Sequence, residues 1–182
     1  MLIGVIGLNS SGKDEVADHI SKNYGFRKCS LSDIVREETT KQGLDPASRD
    51  NLNKVAEDLR KIKGPDFLAK RSIKNYSKEQ KLVLSSFRHP TEIDRVKEKG
   101  GIIIQVKVDI NTRYARSKLR ERDIGDTFEQ FKSKEERELV HPDKDRMQIA
   151  QVLEKTDYLI DNNASLEELY EKVDELMQKL TN

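Results

Sequence analysis

The residues of this chain best placed to do chemistry are a glycine loop and a scattered set of arginines. Gly7-Leu8-Asn9-Ser10-Ser11-Gly12-Lys13 follows directly on the apolar run Leu2 to Ile6 and fits the spacing G-x-x-x-x-G-K. Glycines let the backbone wrap with its N–H groups turned inward, a helix beginning near Lys13 presents its positive end, and Lys13 reaches terminal phosphates. A strand-to-helix turn without a ligand needs neither that lysine nor that spacing. The motif therefore predicts a phosphate cradle, contacted by Gly7, Asn9, Ser10, Ser11, Gly12 and Lys13.

Asp14 stands where a Ser or Thr hydroxyl commonly joins the Mg²⁺ shell, and a carboxylate beside phosphates is repelled unless a metal intervenes. The third strand-like run ends Val83-Leu84-Ser85-Ser86, with no carboxylate where an acidic Mg²⁺ partner is usual. The two departures suggest an exchange of roles, in which Asp14 supplies the carboxylate and Ser85 the hydroxyl around one Mg²⁺ or its water shell.

Further along, Ser30-Leu31-Ser32-Asp33-Ile34-Val35-Arg36 follows the second strand-like run. Ser30 with Asp33, or Ser32, can cap a helix there, and Arg36 is either a solvated helix residue or a phosphate ligand. Asp33 is the carboxylate placed to orient an acceptor hydroxyl. Arg88, in Ser86-Phe87-Arg88-His89-Pro90, follows the third run, at the sheet end where ligands bind. Arg113, Arg116 and Arg120 share one helix face, with Arg122 just beyond. Such a face is either solvated or, beside a strand's carboxyl end, able to meet the charge of a transferring phosphoryl group.

No protein nucleophile or metal cluster is evident in the sequence. His19, His89 and His141 lie far apart without the companions a zinc site needs. Phosphoryl transfer tolerates this, since it depends on positioning and electrostatics. A GTPase switch is disfavoured because Asn53-Lys54 continues as Val55-Ala56 and not as a guanine-reading motif.

The elements that must position these groups come from periodicity. Leu2–Ile6, Phe26–Cys29, Lys81–Ser85, Ile102–Val108 and Tyr158–Ile160 predict strands, mostly buried. Between them Lys13–Asn23, ended by Gly25, and Ser48–Ile62, with Leu52, Val55, Ala56, Leu59 and Ile62 on one stripe, predict helices. Ser165 with Glu168 caps a last helix whose stripe is Leu166, Leu169, Val173, Leu176 and Leu180. Alternation of this kind implies an α/β fold, a parallel sheet covered on both faces with function in the loops after its strands. From about Glu121 to Lys144 the chain is nearly all polar, with Ile124, Phe128, Phe131, Leu139 and Val140 as anchors, and is expected to form a mobile lid.

The 182 residues suit one domain, and 34 Lys plus Arg against 33 Asp plus Glu leave no broad basic field for a nucleic acid. One cysteine, Cys29, excludes an internal disulfide and fits a reducing compartment. No run approaches the ~20 apolar residues of a membrane span, and the apolar opening is too short for a signal peptide. These features predict a cytoplasmic protein with no membrane or nucleic-acid partner; they set no oligomeric state.

Over nearly its full length the chain resembles the nucleoside monophosphate kinase group of P-loop kinases, including archaeal adenylate-kinase-related proteins, deoxynucleotide monophosphate kinases and dephospho-coenzyme A kinases. Gly12-Lys13-Asp14 looks like the deoxynucleotide kinase loop, with Glu15 where Thr often follows. Ser32 to Glu38 is similar to the acceptor-phosphate helix, Ser86 to Pro90 to the strand-end arginine motif, and Arg116 with Arg120 to the pattern flanking the lid. Asp157 to Leu166 resembles the strand and loop beside the donor's adenine, with Ala164 in place of a usual Gly.

The resemblance implies a P-loop NTPase three-layer sandwich with a five-stranded core, an acceptor-binding helical region at about 31–78 and a lid at about 121–146. It implies ATP and Mg²⁺ as cofactors and a small phosphate-bearing acceptor, a nucleotide or dephospho-coenzyme A. Asp33, Arg36 and Arg88 would bind the acceptor; Lys13, Arg88, Arg116 and Arg120 would act on the transferring group. The loop through Asp14 and Glu15, together with Asn162, would hold the donor. A nucleotide-binding regulatory protein with weak catalysis is the reading from another class, favoured by the altered metal ligands.

Overall fold

The computed structural model describes residues 1–77, 80–119, 125–143 and 146–181. Its centre is β1 (Leu2–Ile6), an apolar run whose alternate residues enter two different cores. Leu2 and Ile6 point one way, with Leu82, Leu84 and Ile103; Ile3 and Val5 point the other, with Val83, Ile104 and Val106. A strand buried on both faces can be apolar throughout, which explains why these runs lack polar alternation.

Flanking β1 are β2 (Arg27–Ser30), β3 (Leu82–Ser85), β4 (Ile102–Lys107) and β5 (Tyr158–Asp161), in the order β2-β3-β1-β4-β5. Every pairing is parallel. Helices α1 (Lys13–Tyr24) and α9 (Leu166–Thr181) cover one face through Val16, Ile20, Leu169, Val173 and Met177. The other face is covered by α2 (Leu31–Lys41), α3 (Arg49–Lys63), α4 (Phe67–Ile73), α5 (Pro90–Glu98) and α8 (Ile149–Glu154). Helices α6 (Ile110–Lys118) and α7 (Phe128–Leu139) follow β4. This is the three-layer α/β arrangement expected of a P-loop kinase.

Burial corrects several sequence expectations. The outer strands are not mostly buried: Tyr158 and Leu159 on β5 are exposed, because an edge strand has a neighbour on one side only. Ile62 is 80% exposed at the end of α3, whereas Arg60 two residues earlier is 3% exposed. On α9, Leu166 is exposed and Met177 takes the buried place four residues after Val173. Val140 does not anchor the lid either, being exposed, while Phe131 is buried against Tyr114. Among the described residues, no helix is long and apolar enough to cross a membrane.

Candidate active site

The parallel register sets Ser30 of β2 level with Ser85 of β3, and Ser85 level with Val5 of β1, so the loops leaving these three strands open on one end of the sheet. A cleft of about 640 Å³ lies there. Asn9, Ser10, Lys13 and Asp14 line it from the loop after β1 and the start of α1, Ser32, Asp33 and Arg36 from α2, and Ser86 and Arg88 from the exit of β3. Residues far apart in sequence thus converge on one space.

The Gly7–Lys13 loop is shaped by close approach. A Cβ on Gly7 would lie 2.5 Å from Ser11 Oγ and 2.7 Å from the Val106 carbonyl oxygen. Gly12 has φ 88°, and a Cβ there would lie 2.5 Å from Asn162 Nδ2. That amide donates to the Ser11 carbonyl at 2.8 Å, so Asn162 braces the loop from the β5 side and does not line the cleft. Ser10 and Ser86, the non-glycine residues of positive φ among those described, both line it. Backbone held in this sparsely populated region is common where a site over-determines the chain.

Lys13 is nine-tenths buried, and its Nζ lies 4.0 Å from an Asp14 carboxylate oxygen that is itself half exposed. Glu15 is exposed and outside the cleft, with its carboxylate 3.5 Å from the Tyr170 hydroxyl. Ser85 is fully buried, its Oγ without a hydrogen-bond partner among the described residues, and it is Ser86 that lines the cleft.

At the start of α2 the capping bond expected of Ser30 does not form. Its hydroxyl instead donates to Ser86 Oγ at 2.9 Å and meets Ser32 Oγ at 2.8 Å, and Arg36 donates to Ser32 Oγ and Asp33 Oδ1, each at 2.9 Å. A hydroxyl chain therefore joins α2 to the exit of β3.

Arg88 is placed by a residue that sequence reasoning missed. Glu92, with no exposed surface, accepts the backbone N–H groups of Arg88 at 2.8 Å and His89 at 3.0 Å, and its other oxygen meets Arg60 at 3.3 Å. The spacing of His89 at a helix start to Glu92 three residues on was the available signal. Arg88 donates to Glu138 of α7 at 3.3 Å and to Asn9 Oδ1 at 3.4 Å, and Arg49 also donates to Glu138. Burial pulls the Arg88 guanidinium below its ordinary value, Arg49 and Arg60 push the same way, and Glu138 and Glu92 oppose them.

The shared arginine face of α6 divides. Arg113 is buried in a two-pronged pair with Glu135 of α7, while Arg116 donates to the carbonyls of Asn162 at 3.0 Å and Ala164 at 3.4 Å. Neither lines the cleft. Arg120 and Arg122 lie outside the described residues, as does Ile124. Within the expected lid span, α7 starts on a Thr127–Gln130 capping box and turns Phe131, Glu135 and Glu138 inward. After it, the Gln148 N–H donates to the Arg88 carbonyl at 2.9 Å.

A family model described as an AAA domain matches residues 6–130. A UPF0200 protein of Thermococcus kodakarensis is 34% identical, covering 99% of the chain and 100% of its own length. A UPF0200/UPF0201 protein of Archaeoglobus fulgidus is 29% identical over 98% of the chain, which spans 55% of that relative. Among solved structures, shikimate kinase from Bacteroides thetaiotaomicron superposes with a TM-score of 0.66 at 11% identity, covering 100% of this chain and 99% of that one. At that identity the likeness shows a common fold.

Proposed function

The chain belongs to the UPF0200 family, with residues 6–130 as its AAA domain, and on that premise we propose that it transfers the terminal phosphoryl group of ATP to a small phosphate-bearing acceptor. The observation that carries this reading is the single cleft shared by Lys13 and Asp14 of the donor loop with Asp33, Arg36 and Arg88. A (deoxy)nucleoside monophosphate is the acceptor that suits arginines facing a phosphate loop.

Lys13 and the loop N–H groups hold the donor's terminal phosphates, and the positive end of α1 favours their charge. Asn162 and Gly12 keep that loop in shape. Arg36 and Arg88 grip the acceptor; Arg120 is the lid-flanking cation that the family pattern assigns to the transferring group, and Arg116 would join it only on leaving the Asn162 and Ala164 carbonyls that it holds outside the cleft. Asp14 fits a metal role, being a half-exposed carboxylate on the cleft beside Lys13; the unpartnered Ser85 hydroxyl is the second candidate. Held there together with the donor, Mg²⁺ would supply positive charge against that of the phosphates. Among the described residues, no group of three or more His, Cys, Asp or Glu gathers to hold a metal.

A second reading, phosphorylation of a hydroxyl as in a dephospho-coenzyme A kinase, is supported by Asp33, a cleft carboxylate able to orient that group. The test is ADP formation from ATP and Mg²⁺ against ribo- and deoxynucleoside monophosphates and dephospho-coenzyme A, with Lys13→Ala as control. Stimulation by one acceptor supports a kinase and names its substrate. ATP binding with no acceptor-dependent ADP release would replace this reading with a regulatory nucleotide-binding role.

A further inference from the structure

Where α3, α7 and the exit of β3 meet, the cleft gathers charge that the donor loop and the acceptor helix do not use. Glu138, whose side chain is 11% exposed, accepts from Arg49 on one oxygen; on the other it accepts from Arg88 at 3.3 Å and from Asn9 Nδ2 at 2.9 Å. Arg60 lines the same cleft and is 3% exposed. It meets Glu92 through Nη2, while its Nε has no hydrogen-bond partner among the described residues. Two guanidinium groups and an amide around one anionic group, with a third guanidinium holding a spare donor, form a ligand set suited to phosphate oxygens.

Charge decides what belongs there. Among the described residues, Arg49, Arg60 and Arg88 meet the carboxylates of Glu92 and Glu138, so withdrawing Glu138 adds one positive charge to this corner. A phosphomonoester carries about −1.5 to −2 charges at neutral pH. It matches the corner after Glu138 leaves, better than the single charge of Glu138 itself does.

We propose that Glu138 is an internal stand-in for the acceptor's phosphate: it occupies the Arg49–Arg60–Arg88 seat when the cleft is empty and is exchanged for a phosphomonoester dianion on binding. Because Glu138 is carried by α7, the exchange frees that helix from Arg49, Arg88 and Asn9 and links the position of the lid to the presence of acceptor. A seat already filled from within binds its ligand more weakly in proportion to the occupancy, so removing the stand-in tightens binding. The proposal rests on the phosphotransferase reading only for the identity of the incoming group as acceptor.

The experiment uses the full chain, with inorganic phosphate as probe, calorimetry for affinity and hydrogen exchange of the 128–139 amides for α7. Glu138→Gln is expected to bind phosphate about tenfold more tightly than wild type. In wild type, phosphate is expected to speed exchange over 128–139. Arg49→Ala is expected to abolish that response, and Lys13→Ala, which disables the donor loop, to keep it. Unchanged or weaker binding by Glu138→Gln overturns the proposal. So does α7 exchange in wild type that is indifferent to phosphate, a readout that needs no variant to fold. A response lost in Lys13→Ala also overturns it, by placing the phosphate in the donor loop. Phosphoryl transfer without the α7 response removes the exchange and leaves the function; the α7 response without phosphoryl transfer does the reverse.

Discussion

The donor loop and the acceptor corner face each other across one cleft but are held by different physics. Glycine conformation, one side-chain amide and a helix start fix the loop, so its shape is present before any ligand arrives. The corner is held by guanidinium groups of α3 and the β3 exit against carboxylates of α5 and α7, and on the proposed exchange the contacts of Glu138 are the ones traded for contacts with a ligand. A preformed cradle suits a donor of constant chemistry. An exchangeable charge cluster suits an acceptor whose arrival has to be registered.

That contrast is tested most severely at Glu92, since both it and Arg60 are buried. Glu92→Ala leaves a buried cation unpaired and frees two backbone N–H groups, and is expected to cost about 3–5 kcal/mol, read as a lower urea midpoint at unchanged slope. A loss no larger than that of a surface substitution would show that the pair is not what holds the exit of β3. On the donor side, Lys13→Ala is expected to lower kcat/KM by about 100-fold or more while leaving the unfolding midpoint nearly unchanged. A large stability loss there would remove the distinction between the two regions.

Smaller effects sharpen the picture of the loop. Gly12→Ala forces a side chain into left-handed backbone and against Asn162, at an expected cost of about 1–2 kcal/mol, with weaker ATP binding by titration. Asn162→Ala removes one bond to the Ser11 carbonyl and is expected to cost about 1 kcal/mol, with a raised KM for ATP.

The smallest expected effect lies behind the loop, between α1 and α9. Asp174 is pushed up by burial, but hydrogen bonds from His19 and Tyr24 outweigh this and hold its carboxyl below the usual value. Burial, and then the bond to Asp174, push Tyr24 up to about 12. The depressed carboxyl contributes stability above its unfolded pKa that is lost as pH falls below about 4. The raised phenol contributes stability below about pH 10 that is lost as pH rises through about 12. Thermal melts of Asp174→Asn should therefore show a flatter acid limb than wild type; identical limbs would mean this contact carries none of it.

How much could be read from the sequence follows the same division. The P-loop, the strand–helix alternation and the last helix were legible because their signals are local: a fixed spacing, a period of two or of 3.6, a cap and its partner three residues on. Arg88 and Arg36 were legible as residues following strand ends. Arg49, Arg60 and Glu138 were not, because each looks like an ordinary solvated charge on its own helix. Their meaning comes from partners distant along the chain: Arg49 meets Glu138 across 89 residues, Arg60 meets Glu92 across 32, and Glu138 meets Arg88 across 50. Arg60 sits one position from the buried Leu59, where helical periodicity alone favours solvent over the core. Arg113 and Arg116 share a face by spacing, yet a buried glutamate takes one and backbone carbonyls take the other.

The central claim is that the cleft moves a phosphoryl group from ATP onto an acceptor. The most direct measurement follows γ-labelled ATP with Mg²⁺ and the stimulating monophosphate, separating nucleotides from free phosphate. Label is predicted on the acceptor, in amounts equal to the ADP formed and absent with Lys13→Ala. Label appearing only in inorganic phosphate, or remaining wholly in ATP with every acceptor offered, would contradict the account.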